Sequence, residues 1–203
     1  MAYADFKKFT STGEMIALGD PDEAAAADPV ASASIVALLK GLLVVAGAST
    51  VASGSFTRPA DTLAYASGDL VANSTVAGSV VPVPLAVALV TGGKGRIRRV
   101  RIRKSGTSVA NASFRVHLWS VAPAVTGGDN AAFAANGAAN YLGAVDVTVT
   151  QALNDGAFGA AATDIGFIAA GGSLNLYALV EARAAYTPVS AESFTVAIEA
   201  TQG

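Results

Sequence analysis

The chain has 203 residues, a formal net charge of −2 at pH 7 and no cysteine. This length suits one sizeable domain with an appendage rather than two full domains. The lack of cysteine excludes disulfides, thiol nucleophiles and cysteine metal sites. Charged residues make up only 14% of the chain and the balance is slightly acidic, which argues against nucleic acid as the principal partner.

Residues 1–31 are predicted to form an extended arm or linker. Its second half, residues 19–29, is acidic, contains two prolines and has few large apolar side chains, so it buries little surface alone. The first residues lack the apolar core of a signal peptide. Aromatic and basic side chains near the start are expected to touch the chain's own domain or a partner, such as a capsid surface. These residues are Tyr3, Phe6, Lys7, Lys8 and Phe9.

Residues 32–47 are predicted to form the one α-helix, which Ser32 or Ser34 can cap and Gly47 can end. Its apolar stripe consists of Ile35, Leu38, Leu39, Leu42 and Val45. A helix of about four turns is marginal alone in water, so this stripe must be covered. The cover is either the β domain of the same chain or equivalent helices of other copies. We favour a parallel helix bundle, because four of these residues follow heptad a and d spacing. The apolar run is too short to span a membrane.

Residues 50–203 are predicted to form an antiparallel β-sandwich of the jelly-roll type. Short strands alternate with turns rich in glycine, proline, asparagine and aspartate. Apolar and polar side chains alternate along several strands, which indicates one buried and one exposed face. The predicted strands are 53–58, 63–65, 69–72, 83–91, 95–104, 113–121, 142–149, 165–168, 173–181 and 193–200. A long loop at 123–141 is expected to contain a helical turn at 130–135.

A basic strand at residues 96–104 is the strongest local charge feature. If Val100 and Ile102 face the core, then Arg99, Arg101 and Arg103 share the opposite face. Ile97 falls out of this register, which predicts a β-bulge near Arg98. The arginines either bind phosphate or an acidic protein surface, or they form a solvated or inter-subunit face that discourages edge aggregation.

The residues offer little for catalysis. The single histidine, His117, lies in an alternating strand between Arg115 and Trp119, and no nearby pattern supplies carboxylates or further metal ligands. We therefore expect it at the surface or at a subunit interface. The glycines at 92–95 precede a strand rather than a helix, which is typical of a turn and not of a phosphate loop. The sequence predicts a protein that is not an enzyme and uses no cofactor or metal.

Several segments together resemble a group of tailed-bacteriophage capsid cement or decoration (head auxiliary) proteins. They are residues 32–43, 55–74, 128–133 and 140–143. In that group a short arm and a helix precede a jelly-roll-like domain. The resemblance implies a homotrimer that binds the major capsid protein, is located at the capsid surface of the virion and is assembled in the host cytoplasm. It implies no particular binding residue.

Two other functions stay open. A phage fibre, tail or receptor-binding protein with a carbohydrate-binding sandwich would show exposed aromatic side chains along a groove. The candidates are Trp119, Tyr141, Tyr177 and Tyr186. An enzyme on a jelly-roll scaffold, such as a cupin, would need a cluster of metal-binding histidines, and one histidine argues against it.

Overall fold

The computed structural model describes residues 7–9, 15–17 and 48–203. In the N-terminal segment, strands β1 (Lys7–Phe9) and β2 (Met15–Ala17) pair antiparallel, with Lys8 opposite Ile16. Lys7, Lys8 and Phe9 of the predicted arm therefore belong to a small two-stranded sheet. Tyr3, Phe6 and the predicted helix at residues 32–47 lie outside the described residues.

The larger unit, Ser49–Gln202, consists of ten strands and one 3₁₀ turn. The strands are β3 (Ser49–Thr57), β4 (Leu70–Val71), β5 (Val83–Ala86), β6 (Lys94–Lys104), β7 (Ser113–Trp119), β8 (Tyr141–Thr148), β9 (Gln151–Leu153), β10 (Gly156–Ile168), β11 (Asn175–Ala182) and β12 (Ser193–Gln202). The 3₁₀ turn is Ala138–Asn140.

These strands form two sheets. Sheet I has the order β3-β12-β6-β10-β9, and sheet II has the order β4-β11-β7-β8, with β5 also paired to β11. Every pairing is antiparallel. The first and last strands of this unit, β3 and β12, are neighbours, and the connections repeatedly cross from one sheet to the other. The predicted antiparallel β architecture is confirmed.

The core lies between the inner faces of the two sheets. In β12 the alternate residues Phe194, Val196 and Ile198 are fully buried, as the period-2 pattern predicts. From sheet II, Phe114 packs edge-on against Phe194, with ring centroids 5.4 Å apart. Such contacts between side chains of both sheets form one continuous hydrophobic cluster.

The predicted bulge in the basic strand is present. In the pairing of β6 with β12, Glu199 opposes Arg99 and Ala200 opposes Ile97, so Arg98 is the extra residue. This insertion lets Ile97, Val100 and Ile102 all face the core, where each is fully buried.

Several local predictions were wrong. Residues 63–65 do not form a strand, and the fifth strand ends at Ala86 rather than at residue 91. The predicted helical turn at 130–135 is absent, and the 3₁₀ turn lies at Ala138–Asn140 instead. The prediction for β10 began at residue 165, although the strand begins at Gly156. Glycine and alanine dominate its first half, so β-branched and aromatic signals are missing there.

The outer face of sheet II is not simply exposed, contrary to the expectation from alternation. A second hydrophobic cluster covers part of it. Its members are Leu70, Ala72, Val80, Trp119, Val125 and Leu179, with Phe133 and Ala135 packed against them. The long loop between β7 and β8 supplies three of these side chains. It folds back over the sheet and forms a concave surface with it.

In the described part of the chain, no helix has the length and apolarity needed to cross a membrane.

Candidate functional site

The predicted arginine row lies on the outer face of sheet I, along the central strand β6. Arg99 and Arg101 approach the same carboxylate, Glu199, with nitrogen–oxygen distances of 3.5 and 3.2 Å. Arg103 pairs with Asp155 at 2.7 Å. These ion pairs are partly exposed and contribute little stability. Their main effect is to hold the guanidinium groups in place on the face.

At the bulge, Arg96 and Arg98 both bind Asp164, at 2.6 and 2.8 Å. Five arginines of β6 thus meet three carboxylates, so about two positive charges remain on this face after pairing. We call this surface the arginine face. Its five arginines are all placed by the strand register of β6.

A shallow groove of about 240 Å³ crosses the arginine face. It is lined by Val51, Ser53, Arg101, Arg103, Phe158, Thr195 and Ala197. Within it, the Nε of Arg101 is buried and has no hydrogen-bond acceptor among the described residues. A buried donor without an acceptor is costly, so this atom is suited to a carboxylate or carbonyl from a bound partner.

The outer face of sheet II carries a second concave surface, of about 270 Å³, which we call the aromatic cavity. It is lined by His117, Trp119, Phe133, Ala135, Asn136, Ala138 and Tyr141. Strand β7 supplies His117 and Trp119, the first residue of β8 supplies Tyr141, and the β7–β8 loop supplies the rest. Trp119 and Tyr141 are direct partners in the sheet, with ring centroids 5.0 Å apart.

His117 is the fixed centre of the aromatic cavity. Its ring stacks on Phe133 with centroids 4.2 Å apart and planes inclined by 19°. Its Nε2 lies 2.7 Å from Glu181 Oε2, and its Nδ1 lies 3.0 Å from the Tyr141 hydroxyl. His117 is buried within this chain, so the expectation of a histidine exposed at the surface was wrong, while its alternative, a subunit interface, stays a prediction. The orienting carboxylate that the sequence did not reveal is Glu181, diagonally across the β7–β11 pairing.

These contacts define the protonation of the cluster. Burial lowers the pKa of His117 despite the opposing hydrogen bond to Glu181. Burial also acts to raise the pKa of Glu181, but the hydrogen bonds from His117 and Arg183 hold it below its ordinary value. At neutral pH, His117 is therefore neutral and donates from Nε2 to the carboxylate. Its Nδ1 accepts from the Tyr141 hydroxyl, whose oxygen lone pairs remain available.

The β7–β8 loop is anchored by Asp129. Its carboxylate accepts hydrogen bonds from the Tyr65 hydroxyl at 2.7 Å, the Ala72 backbone N–H at 2.8 Å and Arg58 at 3.1 Å. Arg58 and Asp129 are both buried. This network holds the part of the loop that precedes Phe133, so a buried ion pair helps to position one wall of the aromatic cavity.

One end of the sandwich carries a third feature, an exposed apolar surface formed by Leu89, Val90, Ile168 and Leu174. We call it the apolar end. The backbone N–H groups of residues 87 and 88 both donate to the carbonyl of Leu174, which ties the two loops together. The side chain of Thr50, in the second position of β3, donates to the Val87 carbonyl at 3.0 Å. The apolar end is therefore the end at which β3 begins.

The structure separates the aromatic residues that the sequence grouped as groove candidates. Trp119 and Tyr141 line one cavity, whereas Tyr186 is buried in the core, where it stacks on Tyr65. Phe133, Asn136 and Glu181 were missed, because the fold of a long loop and the register of β11 cannot be read from the sequence.

Among the described residues, no group of three or more histidine, aspartate and glutamate side chains is placed to hold a metal ion. No protein-family model matches the chain, and no curated protein matches it.

Proposed function

We propose that this chain is a structural virion protein of a tailed bacteriophage, a non-enzymatic decoration protein that binds the outer surface of the capsid as a homotrimer. The resemblance of its segments to that group supports the assignment. The strand order also supports it, because it is the order of a double-sheet jelly roll. One sheet has the order β3-β12-β6-β10 and the other has β4 or β5 followed by β11-β7-β8. Fold alone does not define function, so the docking surface carries the proposal.

The observation that carries the proposal is the arginine face. It is open and slightly concave, and small side chains such as Ser53, Thr195 and Ala197 surround its arginines. The charge excess and the unpaired Nε of Arg101 suit an acidic protein surface. We assign the major capsid protein as this partner. Lys7 and Lys8, on the N-terminal hairpin, would add further basic contacts from each copy.

The trimer is supported by two features of this chain. The stripe from Ile35 to Val45 has the heptad spacing of a short bundle. The apolar end of the sandwich, with its exposed Leu89, Val90, Ile168 and Leu174, is a second apolar surface that contacts between copies would bury.

Co-sedimentation with empty phage heads that lack this chain tests the docking surface. The variant carrying Arg99→Gln, Arg101→Gln and Arg103→Gln is expected to lose most of its occupancy at a concentration that saturates the wild type. Arg115→Gln is the matched control, because Arg115 pairs with Asp146 on the other sheet. Equal occupancy of the triple variant and the wild type would contradict the docking surface.

The arm is tested in the same assay. Removal of residues 1–31, which include Tyr3, Phe6, Lys7, Lys8 and Phe9, is expected to weaken binding while the sandwich stays folded. Unchanged occupancy would show that the arm makes no capsid contact. The fibre or receptor-binding alternative predicts that neither the wild type nor the truncated chain sediments with such heads at any concentration.

A further inference from the structure

We propose that the aromatic cavity is a binding site for a single neutral sugar ring. This inference goes beyond the decoration role and does not rest on it, because the aromatic cavity and the arginine face lie on the outer faces of opposite sheets. A sandwich bound to a surface through sheet I leaves the outer face of sheet II open to solvent.

The composition of the aromatic cavity fits a pyranose. One face of a pyranose ring presents C–H groups, while its hydroxyl groups point outward from the ring edge. The cavity offers aromatic surface on Phe133 and Tyr141, with the largely buried Trp119 behind them and the amide of Asn136 at its rim. A largely apolar lining with a few polar groups is the usual make-up of a small-molecule site. Tyr141 is 41% exposed, so its ring is accessible to a ligand.

The polar atoms are oriented before any ligand arrives. Glu181 fixes the proton of His117 on Nε2, and the Tyr141 hydroxyl then donates its hydrogen bond to Nδ1 of His117. The Tyr141 oxygen is left as an acceptor for a ligand hydroxyl group. Because these groups are already ordered in the free protein, little side-chain entropy is lost on binding, which favours affinity.

A second observation points to a ligand here. Trp119 lines the aromatic cavity and is 3% exposed, yet its Nε1–H has no acceptor among the described residues. Buried indole N–H groups usually find a partner. A ligand oxygen that reached this donor would satisfy it.

Charge and size narrow the ligand class. With His117 neutral, no lining residue carries a formal charge. The charged groups nearby are already paired: Glu181 is bound by His117 and Arg183, and Arg115 is bound by Asp146. The aromatic cavity therefore offers no lining cation to neutralise a phosphate or a carboxylated sugar. Its volume of about 270 Å³ lies just below the usual range for ligand sites, about 300–1,000 Å³, which suits one ring rather than an extended oligosaccharide.

Trp119 gives a direct readout, because it is the only tryptophan in the chain. The full chain is titrated with methyl glycosides of glucose, galactose and mannose, with N-acetylglucosamine, and with N-acetylneuraminic acid as the anionic probe. We expect a saturable change of tryptophan fluorescence with at least one neutral sugar and none with the anionic probe. The absence of a saturable change with every neutral sugar, or equal binding of the anionic one, would overturn the proposal.

Variants assign the response to the aromatic cavity. Tyr141→Ala is expected to weaken the affinity for the responding sugar about tenfold or more, and Tyr141→Phe to weaken it less, because it keeps the ring and removes only the hydroxyl. Asn136→Ala should also weaken binding, and it changes an exposed loop residue without touching the sheet. Leu153→Ala, at an exposed apolar residue of β9 on the opposite sheet, is the matched control and should bind as the wild type does. Wild-type affinity in both Tyr141→Ala and Asn136→Ala would overturn the assignment.

Discussion

Arg58 and Asp129, 71 positions apart in the chain, form an ion pair in which both side chains are fully buried. The pair joins the end of β3 to the long β7–β8 loop. Through this contact, a residue next to sheet I helps to place the loop that forms one wall of the aromatic cavity on sheet II. The cavity therefore depends on a buried polar network as well as on its own lining.

Asp129→Ala is expected to lower the free energy of unfolding by about 2–6 kcal/mol, because it leaves two buried donors, the Tyr65 hydroxyl and the Ala72 N–H, without their acceptor at about 1–3 kcal/mol each. The Arg58 guanidinium keeps its second carboxylate, Asp61. Urea denaturation measures this loss. Asp146→Ala is the matched control: it removes a carboxylate paired with Arg115 near the surface, so the expected loss is below about 1 kcal/mol. Similar losses in the two variants would contradict the structural role of Asp129.

The packing of the two sheets is tested at Gly54. A Cβ at this position in β3 would lie 2.5 Å from a Val83 methyl carbon and 2.7 Å from the Pro84 carbonyl oxygen, both in β5. Gly54→Ala should therefore destabilise the sandwich by about 1–3 kcal/mol, through overpacking. Gly166→Ala is the control, since a Cβ there meets nothing within 4 Å. Thermal or urea unfolding of both variants distinguishes this close sheet contact from a looser arrangement.

Lowering the pH is expected to reduce the free energy of unfolding, because His117 takes up a proton more readily in the unfolded chain. Because burial lowers its pKa in the folded state, the unfolded chain takes up the proton first as the pH falls below the ordinary value of 6.5. Stability is thus retained above that pH and decreases below it, by at most about 1.4 kcal/mol per pH unit. The charged and titratable groups around the ring are Glu181 on β11, Arg115 on β7, and Asp146 and Tyr141 on β8. Arg183, the residue after β11, binds Glu181.

His117→Gln isolates this effect, because His117 is the only histidine in the chain. Urea midpoints are measured between pH 7 and pH 5.5 for the variant and the wild type. The wild type should lose more stability than the variant over this range. Parallel pH profiles would show that His117 does not titrate differently in the folded and unfolded chains. Further loss below about pH 4.5 is expected in both proteins, because the folded-state pKa of Glu181 is lowered.

The oligomeric state is tested by measuring the molar mass of the protein in solution. Leu38→Glu together with Leu42→Glu places two charges on the predicted apolar stripe, so the trimer should dissociate to monomers. Ala37→Glu changes a position off the stripe and should leave the mass unchanged. Light scattering coupled to size exclusion gives the masses. A monomeric wild type would contradict the trimer, and a trimeric double variant would place its interface elsewhere.

Alternation and turn residues were enough to predict the antiparallel β architecture and the bulge at Arg98, because burial on one face imposes a period of two. The same signals failed in the first half of β10, where alanine and glycine predominate. They also misplaced His117. Its burial depends on Phe133, which lies in a loop, and on Glu181, which lies on a strand distant in sequence. Contacts of this kind follow from tertiary packing rather than from a local pattern.

The most direct test of the decoration role is the number of copies that bind to phage heads lacking this chain. Wild-type protein is added at increasing concentration, and the bound fraction is measured by sedimentation. The proposal predicts saturation at a fixed number of copies per head that is a multiple of three, with weaker binding at high salt because the arginine face contributes. Protein that stays in the supernatant at every concentration would contradict the proposal.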